Sequence, residues 1–262
     1  MVKLRIISPH FTNESSEIAA DLKNYIKGLQ KDNLEVSYTT LVTGPSSIEC
    51  ELDRALATPG IVQEVTRAEN EGIDAAIISC FGDPGLAAAR EASNIPVFGP
   101  GQTSMHVASL LGHKFSIVTV VESVRPMIEN LARQYAVIDR LASIRVINIP
   151  VLSLLTDTSV LHNALAVEAA AAVIEDRADV IVLGCTGFLG SAEAVTAQLK
   201  AQGIHVPVID PAPVTIAIAQ AICNLGLKHS ERVYKFNASK PTKGYDSLVE
   251  TLRNSRSKQS IT

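Results

Sequence analysis

The chain has 262 residues, a formal net charge of −4 and a 47% hydrophobic content with a low aromatic share. That length carries one large domain or two small ones with proper cores, and the acidic balance removes the electrostatic case for a nucleic-acid partner. No apolar stretch approaches a membrane span, the N-terminus lacks a charged-then-apolar leader, and four cysteines in a chain of this size do not make a disulfide scaffold, so a cytosolic enzyme is expected.

In chain order, residues 2–7 read as a strand ending in the turn Ser8-Pro9-His10, followed by a helix from about 15 or 16 to 29 capped by Ser, Thr and Asn residues. A strand over 34–41 leads to a loop over 42–47, where Gly44-Pro45 breaks any helix. A helix over roughly 59–71, an apolar strand ending at Cys80, a helix over 86–93 and a short strand over 95–98 follow. The second half has the same rhythm: strand 115–120, helix 123–135, strand 144–149, helix 159–176, an apolar strand ending at Cys185, helix 191–202, strand 207–209 and helix 214–225. One more exposed helix is expected over 245–254, and Arg253, Arg256 and Lys258 read as a solvated tail. Strand–helix alternation throughout indicates α/β architecture with right-handed crossovers.

One phrase occurs twice. Residues 74–85 read DAAIISCFGDPG and residues 179–190 read DVIVLGCTGFLG, so Asp74 falls on Asp179, Cys80 on Cys185, Gly82 on Gly187 and Gly85 on Gly190. The echo extends to 95–100 against 206–211 and to 2–8 against 114–119, which makes Thr119 the counterpart of Ser8. The offset is far too long for a solenoid. It predicts a duplicated fold: two similar parallel-sheet α/β lobes related by a pseudo-twofold, residues 1–98 with 210–262 and residues 99–209, with the site between them. Each cysteine then lies at the carboxyl end of a buried strand, where α/β sheets bind ligands.

A lone free cysteine is more often a small buried hydrophobe than a nucleophile, and Cys50 and Cys223, outside the repeat, are read that way. His106 and His162 fall within helices and are read as ordinary interior or surface residues. Cys80 and Cys185 differ because they correspond under the duplication and precede glycines that open the backbone to a ligand. They also stand before expected helix starts, where amides and the helix dipole favour a thiolate. A structural disulfide is improbable in a reducing cytosol. Metal binding needs more ligands than two thiols, and no Cys-x-x-Cys or nearby His completes a set. An acid/base pair needs two thiols and nothing else: one removes a proton from one face of a carbon while the other supplies one to the opposite face.

These residues resemble the aspartate/glutamate/hydantoin racemase superfamily, and more closely its hydantoin and allantoin racemase branch. The resemblance rests on Cys80-Phe81-Gly82-Asp83-Pro84-Gly85-Leu86, on Gly44-Pro45-Ser46-Ser47-Ile48-Glu49 with 55–59, and on Val182-Leu183-Gly184-Cys185, and it spans roughly residues 2–226. It implies a cofactor-independent racemase of a hydantoin or allantoin, with Cys80 and Cys185 as the acid/base residues and no metal. By position, the amides of Phe81, Gly82, Thr186 and Gly187 would bind carbonyl oxygens or ring nitrogens, and Ser8, His10, Ser47, Ile48 and Thr119 would line the pocket. His10 has a second reading as a helix cap. Two departures bear on the substrate. Ser8-Pro9-His10 stands where the branch usually has Asn-Pro-Asn, and Thr186-Gly187-Phe188 where it has Ala-Gly-Met. The alternatives are an amino-acid racemase, or a non-catalytic small-molecule-binding protein on the same scaffold. The resemblance also leaves room for a homo-oligomer.

Overall fold

The computed structural model describes residues 1–11, 28, 33–236, 240, 243–246, 248–250 and 252. The helix expected from about 15 to 29 falls outside these residues except at position 28, as do Arg253, Arg256 and Lys258; of the helix expected over 245–254, positions 246, 248–250 and 252 are helical.

Two four-stranded sheets, all parallel, carry the fold. The first contains β1 (Val2–Ser8), β2 (Leu34–Thr40), β3 (Ala75–Ile78) and β4 (Val97–Phe98), in the order β2-β1-β3-β4. The second contains β5 (Phe115–Thr119), β6 (Leu141–Val146), β7 (Val180–Leu183) and β8 (Val208–Ile209), in the order β6-β5-β7-β8. The orders are the same once the second half is laid on the first. Strands β3 and β7 are buried along their whole length, as continuous apolar runs require when helices cover both faces of a sheet.

Between residues 33 and 236 the α-helices are α1 (Glu51–Asn70), α2 (Leu86–Ala92), α3 (Pro100–Leu111), α4 (Arg125–Gln134), α5 (Thr158–Ile174), α6 (Ser191–Ala201) and α7 (Pro211–Asn224). Asp157 caps α5 and Asp210 caps α7 through their carboxylates, the usual use of Asp before a helix. Helix α3 leaves the first sheet and packs on β5 and β7, with Met105 and Ala108 in the second core; α7 returns, with Ile216 and Ala219 packed against Leu4, Ile6 and Leu34.

Two expectations from the sequence are corrected. Helix α1 begins at Glu51 rather than near 59, because Pro59 sits inside it rather than at its first turn. The edge strand β6 occupies Leu141–Val146, upstream of the expected 144–149; residues 147 and 149 still donate to the carbonyls of Thr119 and Val120, so the apolar pattern runs on past the strand itself.

Candidate active site

The register of the two sheets places the two cysteines equivalently. Ile7 pairs with Ile78 and Val118 with Leu183. One step further, the Ser79 amide donates to the Ile7 carbonyl at 2.8 Å and the Gly184 amide to the Val118 carbonyl at 2.7 Å. Ser8 therefore ends its strand beside Ser79 and Cys80, as Thr119 does beside Gly184 and Cys185. After each thiol the chain makes a short turn, and Gly85 at φ +64° and Gly190 at φ +71° adopt the left-handed conformation that starts α2 and α6.

Both strand ends open on one cavity of about 280 Å³, at the small end of ligand pockets. It collects every residue assigned a role from the sequence: Cys80 and Cys185, then Ser8, His10, Ser47 and Ile48, then Phe81, Gly82, Thr119, Thr186 and Gly187. The thiols are near enough to each other that ionisation of Cys185 raises the pKa of Cys80. Contacts at both cysteine turns cross between the halves. The Thr186 hydroxyl donates to the Ser79 carbonyl at 3.0 Å. The Phe81 ring leaves the first half altogether and is buried in the hydrophobic cluster of the second sheet, with Phe115, Met105 and Met127; burial of such a ring contributes about 1.5–3 kcal/mol.

The electrostatics differ from the sequence expectation in one respect. Helices α2 and α6 begin at Leu86 and Ser191, beyond the turns that follow the cysteines rather than directly after them. Burial dominates instead, pushing the Cys80 thiol up to about 12 and the Cys185 thiol up to about 11. The amides that oppose it belong to the motif glycines: Gly187 donates to Cys185 Sγ at 3.3 Å, and Gly82 makes the corresponding bond to Cys80. The amides of Phe81 and Thr186 have no acceptor among the described residues.

At the rim, Ser8 Oγ and His10 Nε2 are 2.7 Å apart, and Tyr38 is hydrogen-bonded to the same serine. Burial lowers the His10 pKa and keeps the ring neutral at pH 7. Glu49 braces the neighbouring loop, taking the Val151 amide on its carboxylate at 2.6 Å and the Ser123 hydroxyl on its carbonyl at 2.8 Å.

The sequence did not point to the apolar wall. Met127 and Ile128 of α4 and Leu152, Leu154 and Leu155 before α5 line the cavity without belonging to any motif, together with Leu189 of the second cysteine turn. No charged side chain lines it among the described residues. Nor do three His, Cys, Asp or Glu side chains cluster there as a metal-ligand set, and no described helix is long and apolar enough to cross a membrane.

Comparison with known proteins gives this geometry its context. Residues 6–219 match the family described as Asp/Glu/Hydantoin racemase. The chain belongs to that family. A hydantoin racemase from Pseudomonas sp. (strain NS671) is 34% identical over 240 residues, covering 91% of this chain and 93% of the relative. A hydantoin racemase from Paenarthrobacter aurescens is 35% identical over 231 residues, covering 88% and 94% respectively. Among solved structures, an allantoin racemase from Klebsiella pneumoniae superposes with a TM-score of 0.85 at 28% identity, over 95% of this chain and 99% of that one. The family assignment made from the motifs, the two-lobed parallel α/β fold and the racemase class of enzyme all stand on these matches.

Proposed function

We propose that this protein racemises a hydantoin bearing an apolar substituent at C5, using Cys80 and Cys185 as a two-base pair on opposite faces of that carbon. The observation that carries this reading is the pair of equivalent strand ends, each presenting one thiol to a single cavity with no charged side chain among its described lining residues. A neutral five-membered ring suits such a wall. The ammonium and carboxylate of a free amino acid would be left without partners there, at the cost of burying unpaired charges. The similarity to hydantoin racemases and to an allantoin racemase points to the same substrate class. Within that class, Met127, Ile128, Leu152, Leu154, Leu155 and Leu189 favour an alkyl or aryl group over the polar ureido arm of allantoin.

In the forward step a thiolate takes the proton from C5, forming S–H while the C–H electron pair moves onto the adjacent carbonyl as an enolate. The opposite thiol gives its proton to the other face and is left as the thiolate. The product is the mirror image and the two sulfurs have exchanged roles. Each sulfur has to reach roughly 3–3.5 Å from the carbon. In this scheme the amides of Phe81 and Thr186, which have no acceptor among the described residues, supply donors to the enolate oxygen, and those of Gly82 and Gly187 stabilise whichever sulfur is charged. Ser8, His10, Ser47, Ile48 and Thr119 orient the ring. Carbon acidity comes from the neighbouring carbonyl, so the scheme calls on no cofactor. The division into a lobe of residues 1–98 with 210–262 and a lobe of 99–209 belongs to the same reading, supported by α3 packing on β5 and β7 and α7 on β1 and β3.

The test is proton NMR in D2O, with circular dichroism on the same samples, for each enantiomer of a 5-alkyl hydantoin and of allantoin, with protein-free controls. Deuterium uptake with loss of optical signal, fastest for the alkyl hydantoin, is the expected result; Cys80→Ser or Cys185→Ser should each abolish the loss of optical signal while leaving exchange of one enantiomer. Full turnover in both variants would sink the two-thiol mechanism.

A further inference from the structure

Asp83 is the one acidic residue in either cysteine turn, and its counterpart in the second repeat is the buried Phe188. Its amide donates to the Cys80 carbonyl at 3.1 Å, closing the turn that carries the thiol. Its carboxylate points away from the cavity into the second half. There it accepts from the amides of Gly101 at 2.9 Å and Gln102 at 2.7 Å, at the start of α3, and from the Tyr135 hydroxyl at 2.7 Å, just past α4.

The fit is close on every side. A Cβ on Gly99 would lie 2.5 Å from the Asp83 carboxylate, and one on Gly101 would lie 2.2 Å from the Phe81 carbonyl, so α3 starts with glycines to admit the turn. Asp83 itself sits at φ +45°, a left-handed conformation that costs a non-glycine residue energy and persists only where surroundings hold it. At 2% exposure, a carboxylate facing three donors is satisfied only when ionised.

We propose that Asp83 is a positioning residue for Cys80, its carboxylate pinning the first cysteine turn to the start of α3 and to Tyr135, while Cys185 is held without it. The second turn relies on packing of Phe188 and on the Thr186–Ser79 bond. The two bases are thus chemically alike but differently supported. The groups facing Asp83 are Tyr135, Arg90 on α2, Arg54 on α1 and Tyr234, with Cys80 in its own turn and His106 of α3 behind Tyr135 at 6.5 Å between rings. Burial raises the Asp83 carboxyl to about 6, so its protonation, which removes the charge that strengthens its three hydrogen bonds, falls in an accessible range.

This inference rests on the two-thiol reading above, and the test separates the two. Cys80→Ser and Cys185→Ser first identify which enantiomer each sulfur deprotonates, from the hydantoin deuterium exchange that survives without inversion. Asp83→Asn, which tolerates the left-handed backbone, is expected to lower kcat by about 10- to 100-fold with little change in KM. Tyr135→Phe, which removes one donor, is expected to lower it about fivefold. In both, exchange started by Cys185 is kept and exchange started by Cys80 falls. In the wild-type protein, where folding is not in question, Cys80-started exchange is expected to fall relative to Cys185-started exchange below about pH 6. A ratio independent of pH, or variants that lose both exchanges equally or neither, would overturn the positioning role. Full racemisation by both cysteine variants would overturn the two-thiol reading instead.

Discussion

The Thr186 hydroxyl donates to the Ser79 carbonyl at 3.0 Å, tying the turn that follows one thiol to the strand end that precedes the other. The two cysteines lie on different sheets, so their separation depends on how the halves are held rather than on either sheet alone. Removing the hydroxyl while keeping the branched shape, Thr186→Val, is expected to cost about 1 kcal/mol of stability, or about 2–4 °C in Tm. Catalysis should fall further than that loss explains, because the thiols are no longer held in register. Thr186→Ser should restore both. Thermal unfolding beside kcat for each variant gives the comparison.

A second expectation concerns pH. Burial keeps both thiols protonated well above their ordinary range, to about 12 for Cys80 and about 11 for Cys185. The two-base scheme needs one thiolate, so kcat/KM should climb about tenfold per unit through pH 7–9 while the substrate ring stays neutral. That parameter reports the free enzyme. Stability should move the other way. An acid raised in the folded state is neutral there while the unfolded chain ionises from about pH 8.5, so stability present below that pH is lost as pH rises, by up to about 1.4 kcal/mol per unit for each thiol. Activity rising while Tm falls over the same window would be the signature. A flat kcat/KM from pH 6 upward would show that a thiolate is already formed.

The parts of this site that were legible in the sequence are those where the backbone repeats. Cys80 and Cys185, Ser8 and Thr119, Gly85 and Gly190 could be paired because strand ends and turns need the same residue types each time they recur. The start of α1 was not legible: Pro59 reads as a first-turn residue, and the exposed Leu52 and Leu56 ahead of it give no amphipathic pattern. The apolar wall was hidden for a different reason. Leu154 and Met127 are buried hydrophobes whether they line a cavity or fill a core, and only the tertiary fold distinguishes the two. Asp83 sat in an Asp-Pro-Gly sequence that signals a turn, while the helix start it binds lies well downstream.

Arg145 on the edge strand β6 offers a control remote from the cavity. Its guanidinium contacts Asp176 at 2.7 Å, Glu175 at 2.7 Å and Glu168 at 3.7 Å, and holds the Asp176 carboxyl below the usual carboxylate range. Arg145→Ala is expected to destabilise the protein by about 1 kcal/mol, an effect that shrinks as salt is raised. A depressed carboxylate contributes stability above its unfolded pKa that is lost as pH falls, so the difference between variant and wild type should narrow in acid. Urea midpoints at two salt concentrations and two pH values test this, with racemisation rate expected to stay at the wild-type level.

The last expectation sets the two motif glycines against each other. A Cβ on Gly82 would lie 3.0 Å from Met127 Sδ and 3.6 Å from Cys80 Sγ; one on Gly187 would lie 3.1 Å from Leu154 Cδ1 and 3.4 Å from Cys185 Sγ. Methionine is unbranched and re-packs readily, so Met127 can withdraw from a new methyl group. Leu154 is branched and 2% exposed, and has less room to give. Gly187→Ala should therefore displace its own turn, and with it the amide that donates to Cys185. The expected order of kcat is wild type, then Gly82→Ala, then Gly187→Ala, the last lower by about tenfold or more. Pairing Gly187→Ala with Leu154→Ala should recover part of the loss by vacating the contact. If the double variant is no better than the single one, the crowding lies with the sulfur rather than with the leucine, and the turn tolerates no side chain at that position.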